Sequence, residues 1–161
     1  MALPKLDLSE LTFVVVDDEV SIINLISALL VSSGAKKVHK CKSAIEAQQI
    51  ISDHNVRIDC IISDYGMEPV SGLELLQKIR VGTSPGVSRN IRFVMLTGHG
   101  EAEVVKTAMI LDVDGYVIKP ISQKGLISAL ERAFARKRVL KAGSGYADVI
   151  LPEDVVGSAS N

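Results

Sequence analysis

The chain has no tryptophan, and aromatic residues make up only 4% of its 161 positions, so any core it builds is aliphatic. Cysteine is scarce as well. Cys41 and Cys60 stand far apart with no CxxC partner, which argues against a disulfide scaffold and fits a reducing, cytoplasmic setting. Neither sign of charge prevails: the net charge is -1 and the pI about 6.3, so nothing draws the chain to nucleic acid or an anionic membrane, and direct DNA binding is not expected. No basic start followed by an apolar run opens the sequence, so no signal peptide is expected. The longest apolar stretch, 20–31, is broken by Ser21, Asn24 and Ser27 and is too short to cross a bilayer. His39 and His54 have no histidine partner at metal-ligand spacing, which leaves zinc unsupported.

What is present describes a folded protein of one domain: 47% apolar and 23% charged residues. Short aliphatic runs recur at 12–16, 58–62, 91–96 and 116–118, nearly continuous in apolarity, as strands covered by helices on both faces are. A weaker run, 37–41, mixes Val38 and Cys41 with His39 and Lys40 and suits a sheet edge. Between the runs lie helical spacings. Ile22, Ile23, Ile26, Leu29 and Leu30 mark the first, stopped by Gly34. Ser43 and Glu46 form a capping box for the second. Leu73, Leu76 and Ile79, then Val104 and Ala108, then Leu126, Leu130 and Ala133 mark the rest. Five strand-helix units in alternation predict an α/β, doubly wound parallel sheet, whose functional groups gather beyond the carboxyl ends of the strands.

Reading the residues at those ends gives Asp17 and Asp18 after the first strand, Asp64 after the third, Thr97 after the fourth and Lys119 after the fifth. In a parallel sheet these converge. Three clustered carboxylates require a cation, and all-oxygen ligands suit Mg²⁺ or Mn²⁺. Lys119 adds a positive charge and Thr97 a hydrogen bond, which together suit a phosphoryl group in transfer to a carboxylate. Singly, each residue has a plainer reading: a helix cap for the Asp pair, a turn for Asp64, a strand-end hydroxyl for Thr97, a solvated charge for Lys119. Their joint placement favours the site.

FVVVDDE, IISDYGM, FVMLTGHG and GYVIKP resemble the four signatures of bacterial response-regulator receiver domains, over about 11–138. The resemblance implies a flavodoxin-like sheet of order 2-1-3-4-5, with Asp64 the phosphoacceptor. By the same resemblance Asp17, Asp18, Asp64 and the Gly66 carbonyl bind Mg²⁺, Asp17 largely through water, and Lys119 pairs with Asp64 before a cis bond to Pro120. Thr97 and Tyr116 form the coupled switch. A sensor histidine kinase or histidine phosphotransfer protein supplies the phosphoryl group, and a protein target reads the fourth helix, fifth strand and fifth helix, a face that also serves a dimer. Gly66 and His99 occupy positions that tune the attacking water. One departure is Glu68, inserted between Met67 and Pro69, which redraws that loop.

Residues 1–10 read as an extension and 139–161 as a short tail, either flexible or docked, with Gly143 to Gly145 as a link and Tyr146, Val149, Ile150 and Leu151 more apolar than a spacer needs. The basic cluster Arg132, Arg136, Lys137, Arg138 and Lys141 reads as a solvated helix end. With no helix-turn-helix and no second catalytic domain in the sequence, a single-domain regulator working through protein contacts is expected. The chief rival is a haloacid-dehalogenase-like phosphatase, which uses an Asp nucleophile but wants a DxD motif after its first strand. A flavodoxin-like electron carrier would find its flavin phosphate repelled by Asp17 and Asp18.

Overall fold

The aliphatic runs become strands and the helical spacings become helices. A computed structural model of the chain describes residues 5–98 and 101–152. Strands β1 Thr12–Val16, β2 Lys37–Cys41, β3 Cys60–Asp64, β4 Arg92–Thr97 and β5 Gly115–Ile118 alternate with helices α1 Val20–Ser32, α2 Ala44–Ile51, α3 Gly72–Val81, α4 Ala102–Ile110 and α5 Gln123–Ala135. A short α6, Ser144–Ala147, follows. Every paired strand is parallel and the sheet order is β2-β1-β3-β4-β5.

Strand alternation divides the apolar residues between two cores. Val14, Val16, Ile61, Phe93 and Met95 face α2, α3 and α4, whereas Phe13, Val15, Ile62, Val94 and Leu96 face α1 and α5. All five residues of β1 are buried, which is why its sequence shows no in-out pattern.

The helix ends follow local chemistry. Ser43 Oγ accepts from Glu46 N at 3.1 Å while Glu46 Oε2 accepts from Lys42 N at 2.7 Å, so the capping box forms with its return bond one residue upstream. Ser71 and Ser122 cap α3 and α5 in the same way, accepting from Glu74 N and Gly125 N at 3.0 Å. Gly34, at φ 99°, closes α1 while Ala35 N donates to Leu30 O.

Two strands are displaced from their apolar runs. β3 covers 60–64 rather than 58–62, and Asp64 and Thr97 are the last paired residues of β3 and β4, not the first beyond them. Ladder bonds join main chains, so pairing of Asp64 with Leu96 continues where apolar side chains stop. Gly143 to Gly145, expected as a link, instead supply the N-cap and first residues of α6. The positions 99–100 and 153–161 lie outside the described residues, and with them His99 and the Gly/Ser-rich end.

Candidate functional site

The carboxyl edge of the sheet collects the expected side chains. Asp17 is fully buried, Asp64 and Thr97 are buried, and Asp18 is exposed. Lys119 Nζ lies 3.1 Å from Asp17 Oδ2 and 3.2 Å from Asp64 Oδ1, so one ammonium bridges the acids of β1 and β3. The main chain ties this corner together: Lys119 N donates to Thr97 O at 2.7 Å. The Lys119–Pro120 peptide is cis, and so is Glu68–Pro69 in the loop that holds the extra acid.

Neither Asp17 nor Asp18 caps α1, whose N-cap position is Glu19 with no side-chain capping bond. Asp17 Oδ1 accepts from Glu19 N at 2.9 Å, which orients the carboxylate. Its Oδ2 is buried, near Lys119 but outside good hydrogen-bonding geometry, with no other donor among the described residues. Oxygen ligands of Asp17, Asp18 and Asp64 all lie within 4.8 Å of one another. A buried oxygen short of donors among three carboxylates fits a hard divalent cation better than it fits one lysine.

Electrostatics agree with that fit. Burial, with repulsion from Asp64, pushes the Asp17 carboxyl up to about 6 against the lowering effect of the Glu19 N–H and Lys119. Burial likewise raises Asp64, opposed by Lys119. Burial alone would lower Lys119, but Asp64 and Asp17 outweigh it and the ammonium is held above its ordinary value.

Gly72 sets the position of Asp64. A Cβ there would stand 1.9 Å from the Asp64 carbonyl oxygen, so only glycine lets α3 start against the end of β3. At Gly66, two residues beyond Asp64, nothing lies within 4 Å of a Cβ, so the space there is open.

Thr97 and Tyr116 share a groove of about 700 Å³ between α4 and β5, also lined by Val105, Met109 and Ile118. Tyr116 points outward, 44% exposed, while Thr97 is buried behind it. One contact beside the site was not anticipated: the hydroxyl of Tyr65, the residue after Asp64, donates to Glu101 at the start of α4.

The amino edge of the sheet carries a second polar cluster that the sequence concealed. Arg80 on α3 is 0% exposed, its guanidinium donating to the carbonyls of Ile91 at 3.0 Å, Asp112 at 2.9 Å and Leu111 at 3.3 Å and to Asp114 Oδ2 at 3.1 Å. Asp114 also accepts from Phe93 N at 2.8 Å, Arg92 at 3.2 Å and Arg138 at 3.0 Å. Burial, then Arg138, lowers Arg80 to about 10 despite Asp114. Arg136 and Arg138 are therefore not the solvated helix end expected: α5 stops at Ala135 and both side chains turn inward, Arg136 reaching Val113 O at 2.8 Å. The signal for Arg80 was its spacing, four residues beyond Leu76 on the apolar face of α3.

Among the described residues no helix is long and apolar enough to cross a membrane. Residues 13–131 match the response regulator receiver domain. Chemotaxis protein CheY1 of Helicobacter pylori is 30% identical over 117 residues, 73% of this chain and 91% of that protein. An uncharacterized transcriptional regulatory protein of Bacillus subtilis, YesN, is 33% identical over 121 residues, 74% of this chain but only 31% of YesN. A receiver domain protein of Clostridium thermocellum superposes with a TM-score of 0.68 at 28% identity, covering 78% of this chain and 94% of its own. These matches favour a phosphoacceptor over a haloacid-dehalogenase-like phosphatase, and with the strand order and the acid-lysine edge they place the chain in the receiver domain family of two-component response regulators.

Proposed function

We propose that Asp64 is the residue that accepts the phosphoryl group, from a phosphohistidine on a sensor kinase or a histidine phosphotransfer protein in the cytoplasm. The observation that carries this reading is the Lys119 ammonium set 3.1 Å from Asp17 and 3.2 Å from Asp64 at the carboxyl edge. An Asp64 carboxylate oxygen attacks phosphorus, the phosphorus–nitrogen bond to the donor breaks, and the departing imidazole takes up a proton. Asp17, Asp18, Asp64 and the Gly66 carbonyl would hold Mg²⁺, with Mn²⁺ able to replace it. The ion supplies charge neutralisation for the phosphoryl oxygens.

Lys119 exchanges its ion pair with Asp64 for one with the new phosphoryl group. The Thr97 hydroxyl donates to that group, and the groove it shares with Tyr116 gives the ring room to turn inward. Output then passes through protein contacts on α4, β5 and α5, where Met109, Ile110, Tyr116 and Ile118 are exposed. The same face would serve a dimer.

The test is intact mass after acetyl phosphate with Mg²⁺, on the wild type and Asp64→Asn. One added phosphoryl group on the wild type alone is expected. No gain, or equal gain by the variant, would remove the reading.

A further inference from the structure

The polar cluster at the amino edge is not closed by the sheet and its helices alone. Residues beyond α5 complete it. Tyr146 on α6 is 0% exposed, its hydroxyl donating to Asp112 Oδ2 at 2.7 Å and accepting from Lys141 N at 3.0 Å. Arg136 Nη2 stands 3.4 Å from Asp112 Oδ1. The segment is fastened along α3 as well: Gln77 Nε2 donates to the carbonyls of Tyr146 at 3.0 Å and Val149 at 2.9 Å. Gly143 fits only as glycine, since a Cβ there would stand 2.3 Å from Val81 O. Arg89 lies over the Tyr146 ring at 6.0 Å and Lys141 at 5.6 Å.

What this segment grips is the joint between the two elements of the output face. Asp112 lies between α4, which ends at Ile110, and β5, which begins at Gly115. It is the one non-glycine residue with positive φ among those described, at 54°. Such a backbone persists where its surroundings over-determine it. Here Arg80 holds its carbonyl, and Tyr146 and Arg136 hold its carboxylate from the segment. Asp112 N also donates to Met109 O at 3.0 Å, so two of these four restraints come from residues outside the matched 13–131. In this arrangement Tyr116 points outward and Lys119 pairs with Asp64, as the proposed function expects before phosphorylation.

We propose that residues 136–152 form a latch on the switch: by gripping Asp112 through Tyr146 and Arg136, the segment favours the unphosphorylated placement of α4 and β5, and phosphorylation of Asp64 loosens it. This rests on Asp64 being the acceptor. Tyr146 is thus a positioning residue, acting through Asp112. The coupling runs both ways, as linkage requires, so weakening the latch eases phosphorylation and phosphorylation exposes the latch.

The experiment uses the full chain, acetyl phosphate and Mg²⁺, with the rate of phosphoryl gain by intact mass, hydrogen exchange over 141–149, and melting temperature. Tyr146→Phe keeps the ring and loses the hydroxyl; Gln77→Ala loosens the segment from α3 without touching Asp112. The expected result is phosphoryl gain about fivefold faster in Tyr146→Phe and less so in Gln77→Ala, with faster exchange over 141–149 once the wild type is phosphorylated. Should both variants melt lower but gain phosphoryl at the wild-type rate, with exchange over 141–149 unchanged by phosphorylation, the segment is packing only and the latch is refuted. Slower gain in the variants refutes it too, by reversing its sign. A wild type that gains no phosphoryl group at all refutes instead the acceptor reading on which the latch depends.

Discussion

The two edges of the sheet use charge in opposite ways. At the carboxyl edge, Asp17, Asp18 and Asp64 face one lysine, and a buried Asp17 oxygen lacks a well-aligned donor. At the amino edge, Asp114 receives Arg80, Arg92, Arg138 and the Phe93 N–H. One site is left short of positive charge and is ready to take more; in the other a single carboxylate meets three guanidinium groups, although Arg138 Nε, 3.0 Å from Asp114 Oδ1, is poorly aligned for a hydrogen bond. The excess of one charge sign separates the candidate site from the second cluster more sharply than burial does, because Asp17 and Asp114 are both buried.

Removing the hub of the paired edge should have the largest effect. Asp114→Ala leaves the buried Arg80 charge unpaired and should cost about 3–5 kcal/mol in urea unfolding. A loss near zero would show that this cluster is not a closed network. At the other edge Gly72→Ala must displace the Asp64 carbonyl 1.9 Å from its new Cβ. Overpacking of that kind costs about 1–3 kcal/mol, and acetyl phosphate labelling should fall with it.

Acid should separate the edges without mutation. The Asp17 carboxyl sits at about 6, above its ordinary 3.8. Because the folded state binds this proton more tightly than the unfolded state, the metal-free protein gains stability from Asp17 as pH falls through about 6 toward 3.8. If Asp17 helps to hold Mg²⁺, the ion must displace that proton, and its affinity by calorimetry should weaken over the same range, approaching tenfold per pH unit below about 6. Affinity that holds constant from pH 7 to pH 5 would mean that Asp17 takes no part. The smallest effect belongs to a pair at neither edge. Lys36 and Glu10, 3.9 Å apart, are 61% and 86% exposed, and Lys36→Ala should stay within about 0.5 kcal/mol in the same unfolding assay.

The carboxyl edge was legible in the sequence because a parallel sheet turns strand ends into neighbours. Finding Asp17, Asp64, Thr97 and Lys119 required only the strand runs and one topological rule. Strand limits slipped at β3 because main-chain pairing runs past the apolar residues to Asp64. The amino edge was not legible in the same way. Arg80 and Asp114 belong to different units, a helical arginine ordinarily reads as solvated, and the turn of Arg136 and Arg138 toward the core depends on where α5 stops. Tyr146 stood out as apolar, but what it would bond to depended on the Asp112 loop.

Lys119 lies beyond β5, the last strand made, and Asp17 just after β1, the first. A chain shorter than 119 residues therefore lacks the ammonium that bridges the acids, and in a chain whose sheet has not closed around β3 the acids and the ammonium are not neighbours. Such a chain presents its carboxylates without the lysine that bridges them. On the proposed reading, the pocket that would receive a phosphoryl group exists only once the first and last strands share one sheet.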